Sequence, residues 1–182
     1  MTIDIPGYKP GTYVLDPAHS EVGFEVRHMM ISKVRGLFAV KSATIVLPES
    51  PLDATVEATA DVASIDTKDE GRDAHLRSED FFDAEKYPVI AFTSTRVREE
   101  GGQFYVDGDL TIKDVTKPVT FDLDFGGFGT DPWGNYKAGA TASATINREE
   151  FGLTWNAALE TGGVLVGKDV KITLDLQGTL QQ

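Results

Sequence analysis

Residues Tyr136 to Ile146 read YKAGATASATI. Tyr136, Ala138, Ala140, Ala142, Ala144 and Ile146 share one parity, and Lys137, Gly139, Thr141, Ser143 and Thr145 the other. Strand side chains point alternately to opposite faces, so this stretch predicts a strand with one apolar side. Alanine is the best helix former. Here, however, Thr, Ser and Gly interleave at period two and nothing recurs at three and four, which argues against a helix. Four successive apolar positions carry only a methyl group. Such a face either receives bulky neighbours or borders an empty space.

The same alternation extends outward along the chain. Ser20 to Met30 places Val22, Phe24, Val26, His28 and Met30 on one face. Lys33 to Leu47 begins with Val34, Gly36, Phe38 and Val40 in phase and ends with Ala43, Ile45 and Leu47 out of phase. One extra residue near Lys41–Ser42 accounts for the slip, so a β-bulge is expected there. Ala54 to Val62 turns Ala54, Val56, Ala58, Ala60 and Val62 inward, again a mostly alanine face. Strands follow from Pro88 to Val97, from Gln103 to Ile112, over Val119 to Phe125, and at the end of the chain over Val170 to Leu176. Gly126 to Gly134 reads as a glycine-rich loop. Thr67 and Glu70 form a capping box that opens a helix over roughly 68–78. Asn147 to Glu150 is a second capping signature, closed by Gly152.

Every long strand has a single apolar face, whereas strands of a parallel sheet covered on both sides read as continuous apolar runs. The fold class is therefore all-β: an eight-stranded antiparallel up-and-down barrel with one short helix capping or flanking it. The 182 residues suit a single domain, 1–182, with residues 1–11 as an N-terminal arm.

The net charge is −12, from 29 acids and 17 bases. It argues against a nucleic-acid partner, which needs a basic footprint, and against adsorption to an anionic membrane. Cysteine is absent, so disulfides, thiolate metal sites and a Cys nucleophile are excluded. The N-terminus lacks the apolar run of a signal peptide, and no stretch reaches the ~20 apolar residues of a membrane-spanning helix. A cytoplasmic protein without stable membrane insertion is expected.

Catalytic motifs are sparse. His19 beside Ser20 is no triad without a converging acid, and His75 reads as a helix-surface residue pairing with Glu79. No metal-ligand spacing and no phosphate loop occur, so neither a metal nor a cofactor is expected. His28, on the apolar face, either meets a ligand head group or is a hydrogen-bonded core histidine. Trp133, Tyr136 and Trp155 are candidates to line a mouth. The many Ala and Gly positions opposite Phe24, Phe38, Phe92, Phe104, Phe121 and Phe125 admit two readings. One is large-against-small packing; the other is an elongated apolar cavity for a hydrophobic ligand.

Several segments taken together resemble the YceI-like family of polyisoprenoid-binding proteins. They are DPAHSEVGFEVRHMMISKVRGLF (16–38), RDAHLRSEDFFDAEKYPVIAFTST (72–95), GDLTIKDVTKPVTFDLDF (108–125) and INREEFGLTW (146–155), followed by the closing strand KDVKITLDL. Asp114 departs from the glycine expected in the LTI turn. The resemblance implies a lipocalin-like barrel holding a polyisoprenoid or quinone-like lipid for storage or transport, no enzymatic activity, and a homodimer. Within the matching segments and the alanine faces, the expected ligand-binding residues are Phe24, Val26, His28, Phe38, Ala58, Phe92, Phe121, Ala140 and Ala142. His28, Arg35 or Arg72 would meet a head group. The rivals are an enzyme acting on the same lipid with His28 as base, and a filled barrel acting as an interaction or stress-related protein.

Overall fold

The structure is a computed structural model that describes residues 3–160 and 162–182. Nine strand segments form one closed antiparallel sheet: β1 (Gly11–Leu15), β2 (Glu21–His28), β3 (Ser32–Leu47), β4 (Thr55–Asp66), β5 (Val89–Glu100), β6 (Gln103–Ile112), β7 (Val115–Thr130), β8 (Tyr136–Asn147) and β9 (Val166–Leu180). They fill eight positions around the barrel. β1 and β2 are collinear, and both lie between β3 and β9. One 3-10 turn, Pro17–His19, divides them. Proline cannot donate to a ladder, and the gap is bridged through β9: Ser20 Oγ donates to the Gln177 carbonyl and accepts from the Gln177 amide. Pairing of β3 with β4 closes the barrel.

The bulge expected at Lys41–Ser42 is present, since Val40 pairs with Ala60 and Ser42 with Thr59. The glycine-rich stretch expected as a loop from Gly126 to Gly134 is a turn only from Asp131 onward. β7 continues to Thr130 and still pairs with β8, after a register shift between Phe125 and Gly127. Glycine is tolerated there because the bulge needs a left-handed residue, Gly127 at φ 126°. The helix, α1 (Glu70–Arg77), starts two residues later than expected. Lys68 lies at φ 64°, which breaks the turn, and Asp69 caps instead, accepting from the Arg72 amide at 3.0 Å. Thr67 is redirected. Its amide and hydroxyl donate to buried Asp73, at 2.9 and 2.5 Å, tying the helix to the end of β4.

The two barrel ends are built differently. At the arm end Tyr8, Tyr13, Phe125, Phe128 and Tyr136 form an aromatic plug with ring centroids 5.8–6.4 Å apart. The arm is held there by Tyr8, whose hydroxyl donates to the Pro48 carbonyl at 2.6 Å. At the helix end Phe81 and Phe82, carried by the segment after α1, pack inward with Phe151, Leu153 and Trp155.

Two glycines set where phenylalanine rings lie along the wall. Phe24 covers Gly36, its cross-strand partner, and Phe92 covers Gly108, leaving no room for a Cβ at either glycine. Gly36→Ala is therefore expected to push the Phe24 ring inward and lower stability by about 1–3 kcal/mol. Urea unfolding measures the loss, and an unchanged midpoint would show that the ring has space to move.

Candidate functional site

The barrel interior is not filled. A cavity of about 260 Å³ runs along it, a little below the ~300–1,000 Å³ of typical small-ligand sites. Phe24, Val26, Phe38, Ala58, Phe92, Phe121, Ala140 and Ala142 all line it. Alternation delivers each from its strand: Phe24 and Val26 from β2, Phe38 from β3, Ala58 from β4, Phe92 from β5, Phe121 from β7, and the two alanines from β8. Phe92 and Phe121 meet edge to face with centroids 5.2 Å apart, and Phe38 contacts both Phe24 and Phe82.

The alanine face of β8 resolves into three parts. Ala138 lies opposite Phe128 and accommodates the plug. Ala144 packs against the cluster around Phe151. Only Ala140 and Ala142, between them, border the cavity. The alternatives of bulky neighbour and empty space are thus both realised, on different parts of one strand.

His28 does not line the cavity. β2 pairs with β3 without interruption through His28, so the histidine keeps the parity of Val26 and sits opposite the lining residue Val166, but as the last residue of β2, next to the turn, it stands outside the lining. Arg35 lies outside, paired with Glu25 at 2.8 Å. Arg72 is engaged with Thr67, through its hydroxyl and its carbonyl, both at 2.8 Å. Neither arginine lines the cavity. His75 pairs with Asp80 at 2.9 Å rather than with Glu79, and its ring stacks edge to face on Phe81 and Trp155. Of the aromatics proposed for a mouth, Trp133 is exposed at the β7–β8 turn, Tyr136 belongs to the plug, and Trp155 packs at the helix end.

The charged residue that does reach the lining is Arg148, which is 4% exposed. Its guanidinium donates to four backbone carbonyls: Gly167 (2.8 Å), Leu153 (2.6 Å), Trp155 (3.0 Å) and Val166 (3.3 Å). Burial pulls its pKa below the usual arginine range, yet an arginine stays charged. The fork therefore fastens the 153–156 segment to the start of β9. Asn156 supports it with bonds to both the amide and the carbonyl of Val166. Arg148 was visible in the sequence only as the second residue of a capping signature. It sits on a 3-10 turn, Arg148–Phe151, where strand parity no longer assigns a direction. Leu76, Phe81 and Phe82 were missed as lining residues for the same reason, since they arrive from a helix and a loop.

Among the described residues the lining contains no carboxylate and no histidine, and no group of acids and histidines is placed to hold a metal ion. Among the described residues no helix is long and apolar enough to cross a membrane. The arrangement can take up hydrocarbon through burial of apolar surface.

The sequence model of the YceI-like domain matches residues 13–178. The chain belongs to the YceI-like family. A UPF0312 protein of Staphylococcus aureus strain USA300 is 39% identical to this YceI-like chain over 175 residues, spanning 93% of this chain and 98% of the relative. Among solved structures, Burkholderia cenocepacia BcnA superposes with a TM-score of 0.76 at 26% identity, over 90% of this chain and 98% of that one. The Campylobacter jejuni YceI protein gives 0.67 at 26% identity, over 86% and 90%. A polyisoprenoid-binding domain from Saccharophagus degradans gives 0.70 at 15% identity, over 93% and 98%, and so shares the fold. The barrel and its family expected from the sequence are thereby established.

Proposed function

We propose that this protein is a carrier that stores or transports a long-chain apolar lipid, a polyisoprenoid or an isoprenoid quinone, inside the barrel. The observation that carries the reading is the continuous hydrocarbon lining of the cavity, bordered by alanine on β8 and phenylalanine on β2, β3, β5 and β7. Each buried CH₂ contributes ~0.8 kcal/mol, so an isoprenoid chain needs little polar chemistry to be held. Membership of the YceI-like family supports it, as does the likeness in fold to a domain described as polyisoprenoid-binding. The reading is binding rather than catalysis, because the lining offers no base, acid or nucleophile whose polar atoms are free to react. A cytoplasmic location and a homodimer belong to the same reading.

Native mass spectrometry of the purified protein, followed by organic extraction, tests it. The expected result is a copurifying isoprenoid, or saturable uptake of added geranylgeraniol. A protein that is empty and takes up neither geranylgeraniol nor a quinone overturns it, and turnover of the bound lipid would establish an enzyme instead.

A further inference from the structure

The β2–β3 hairpin ends in three consecutive exposed apolar side chains, Met29 (45% exposed), Met30 (57%) and Ile31 (82%). Met29 and Met30 occupy the two left-handed positions of the turn, at φ 54° and 61°, and the Ile31 amide donates to the His28 carbonyl at 3.3 Å. Asn-Gly is the favoured pair for such a turn. Here methionines stand in its place, so the turn residues present apolar side chains to solvent. Met30 folds over Gly163, its sulfur filling the space a Cβ would take, and exposed Val164 extends the patch. The patch continues into the lumen. Val26, three residues before Met29, lines the cavity, and so does Val166, which pairs with His28.

The strands that carry this patch hold more bases than acids beside the turn, although the chain as a whole is acidic. On β2, β3 and β9 beside the turn, Arg27, Lys33, Arg35, Lys168 and Lys171 are exposed, against the acids Glu25 and Asp169 and, on the loop that reaches Met30, Glu160. Glu25 is held in ion pairs with Lys33 and Arg35. No acid occurs anywhere from residue 26 to 48. Trp133, 84% exposed at the opposite end, stands beside Asp131 and has no such basic collar.

We propose that the tip of the β2–β3 hairpin is a membrane-docking element that seats this end of the barrel on a bilayer carrying anionic head groups. Met29, Met30 and Ile31 enter the interfacial layer while the collar lies against the phosphates, the two-part scheme that gives reversible interfacial binding. The apolar track from Ile31 to Val26 then leads from bilayer to cavity. This rests on the carrier reading for its purpose, but docking itself is measured separately.

Flotation of the full chain with phosphatidylcholine vesicles, with and without phosphatidylglycerol, provides the test. The wild-type protein is expected to float with the anionic vesicles. Met30→Asp combined with Ile31→Asp is expected to lower that binding about tenfold or more, while Trp133→Ser leaves it unchanged. Uptake of geranylgeraniol delivered from ethanol should be the same in all three proteins. Absence of wild-type flotation, or equal flotation of the tip variant, overturns the proposal. So does a tip variant that turns a dimer into a monomer by light scattering with no vesicle binding, which would make the tip a contact between copies. Docking without geranylgeraniol uptake would leave the hairpin assignment standing and remove the carrier reading.

Discussion

Ala142→Phe is expected to abolish lipid uptake while leaving the barrel folded. Ala142 is buried on β8 between Leu123 and Leu174 and faces the middle of the cavity. A benzyl group there occupies space otherwise open to ligand. Displacing three methylenes of a bound chain costs about 2.4 kcal/mol, roughly fiftyfold in Kd. The overpacking penalty of about 1–3 kcal/mol is offset because the new ring has a void to enter. Thr141→Phe, on the outer face of the same strand, is the control and should bind normally. Titration with geranylgeraniol, read by displacement of an apolar fluorophore, measures both. Normal uptake by Ala142→Phe would mean that β8 is not the wall that limits the ligand.

Arg148→Met should show the opposite pattern, a large loss of stability ahead of any effect on specificity. Methionine matches much of the side-chain bulk but donates to none of the four carbonyls that the guanidinium serves. Leaving a buried acceptor unpaired costs about 1–3 kcal/mol, and several are affected at once, so a loss of about 3 kcal/mol or more is expected. For a domain of this size that is roughly 6–12 °C in Tm. Arg148→Lys keeps the charge but not the planar fork and should recover only part of the loss. Thermal unfolding by circular dichroism separates the three proteins. A methionine variant as stable as wild type would show that water serves the carbonyls, and that the arginine is free to meet a ligand.

The sequence was most informative where strand parity held. β8, with its period-two alternation, and the slip at Lys41–Ser42 located walls and a bulge correctly, because a one-residue change of phase moves every side chain to the other face. Parity assigns a face but not a depth along the barrel: His28 shares the parity of Val26, yet its place at the end of β2 leaves it outside the lining. Glycine interrupts strand patterns, so Gly126 to Gly134 reads as a loop in the sequence, yet pairing with β8 and the Phe128 ring keep 126–130 in the sheet and leave only the turn after Thr130. Arg148 and the Phe81–Phe82 pair lie on turns, where direction follows from tertiary contacts alone. Eight of the nine residues chosen as ligand contacts nonetheless border the cavity, since all eight sit in regular strands.

The division of one barrel position into β1 and β2 has a mechanical consequence. β2 keeps its pairing to β3 and β9 along its own length, and β1 is joined to the same two strands through separate, shorter ladders. β1 carries Tyr13 and follows the arm that carries Tyr8, so two of the five rings of the stopper belong to this short segment, while Phe125, Phe128 and Tyr136 belong to β7 and β8. That part of the cork and the stave β2 are fastened independently. With Pro17 as the break between them, release of the five-residue β1 withdraws two rings from the stopper while β2 keeps its own ladders to β3 and β9.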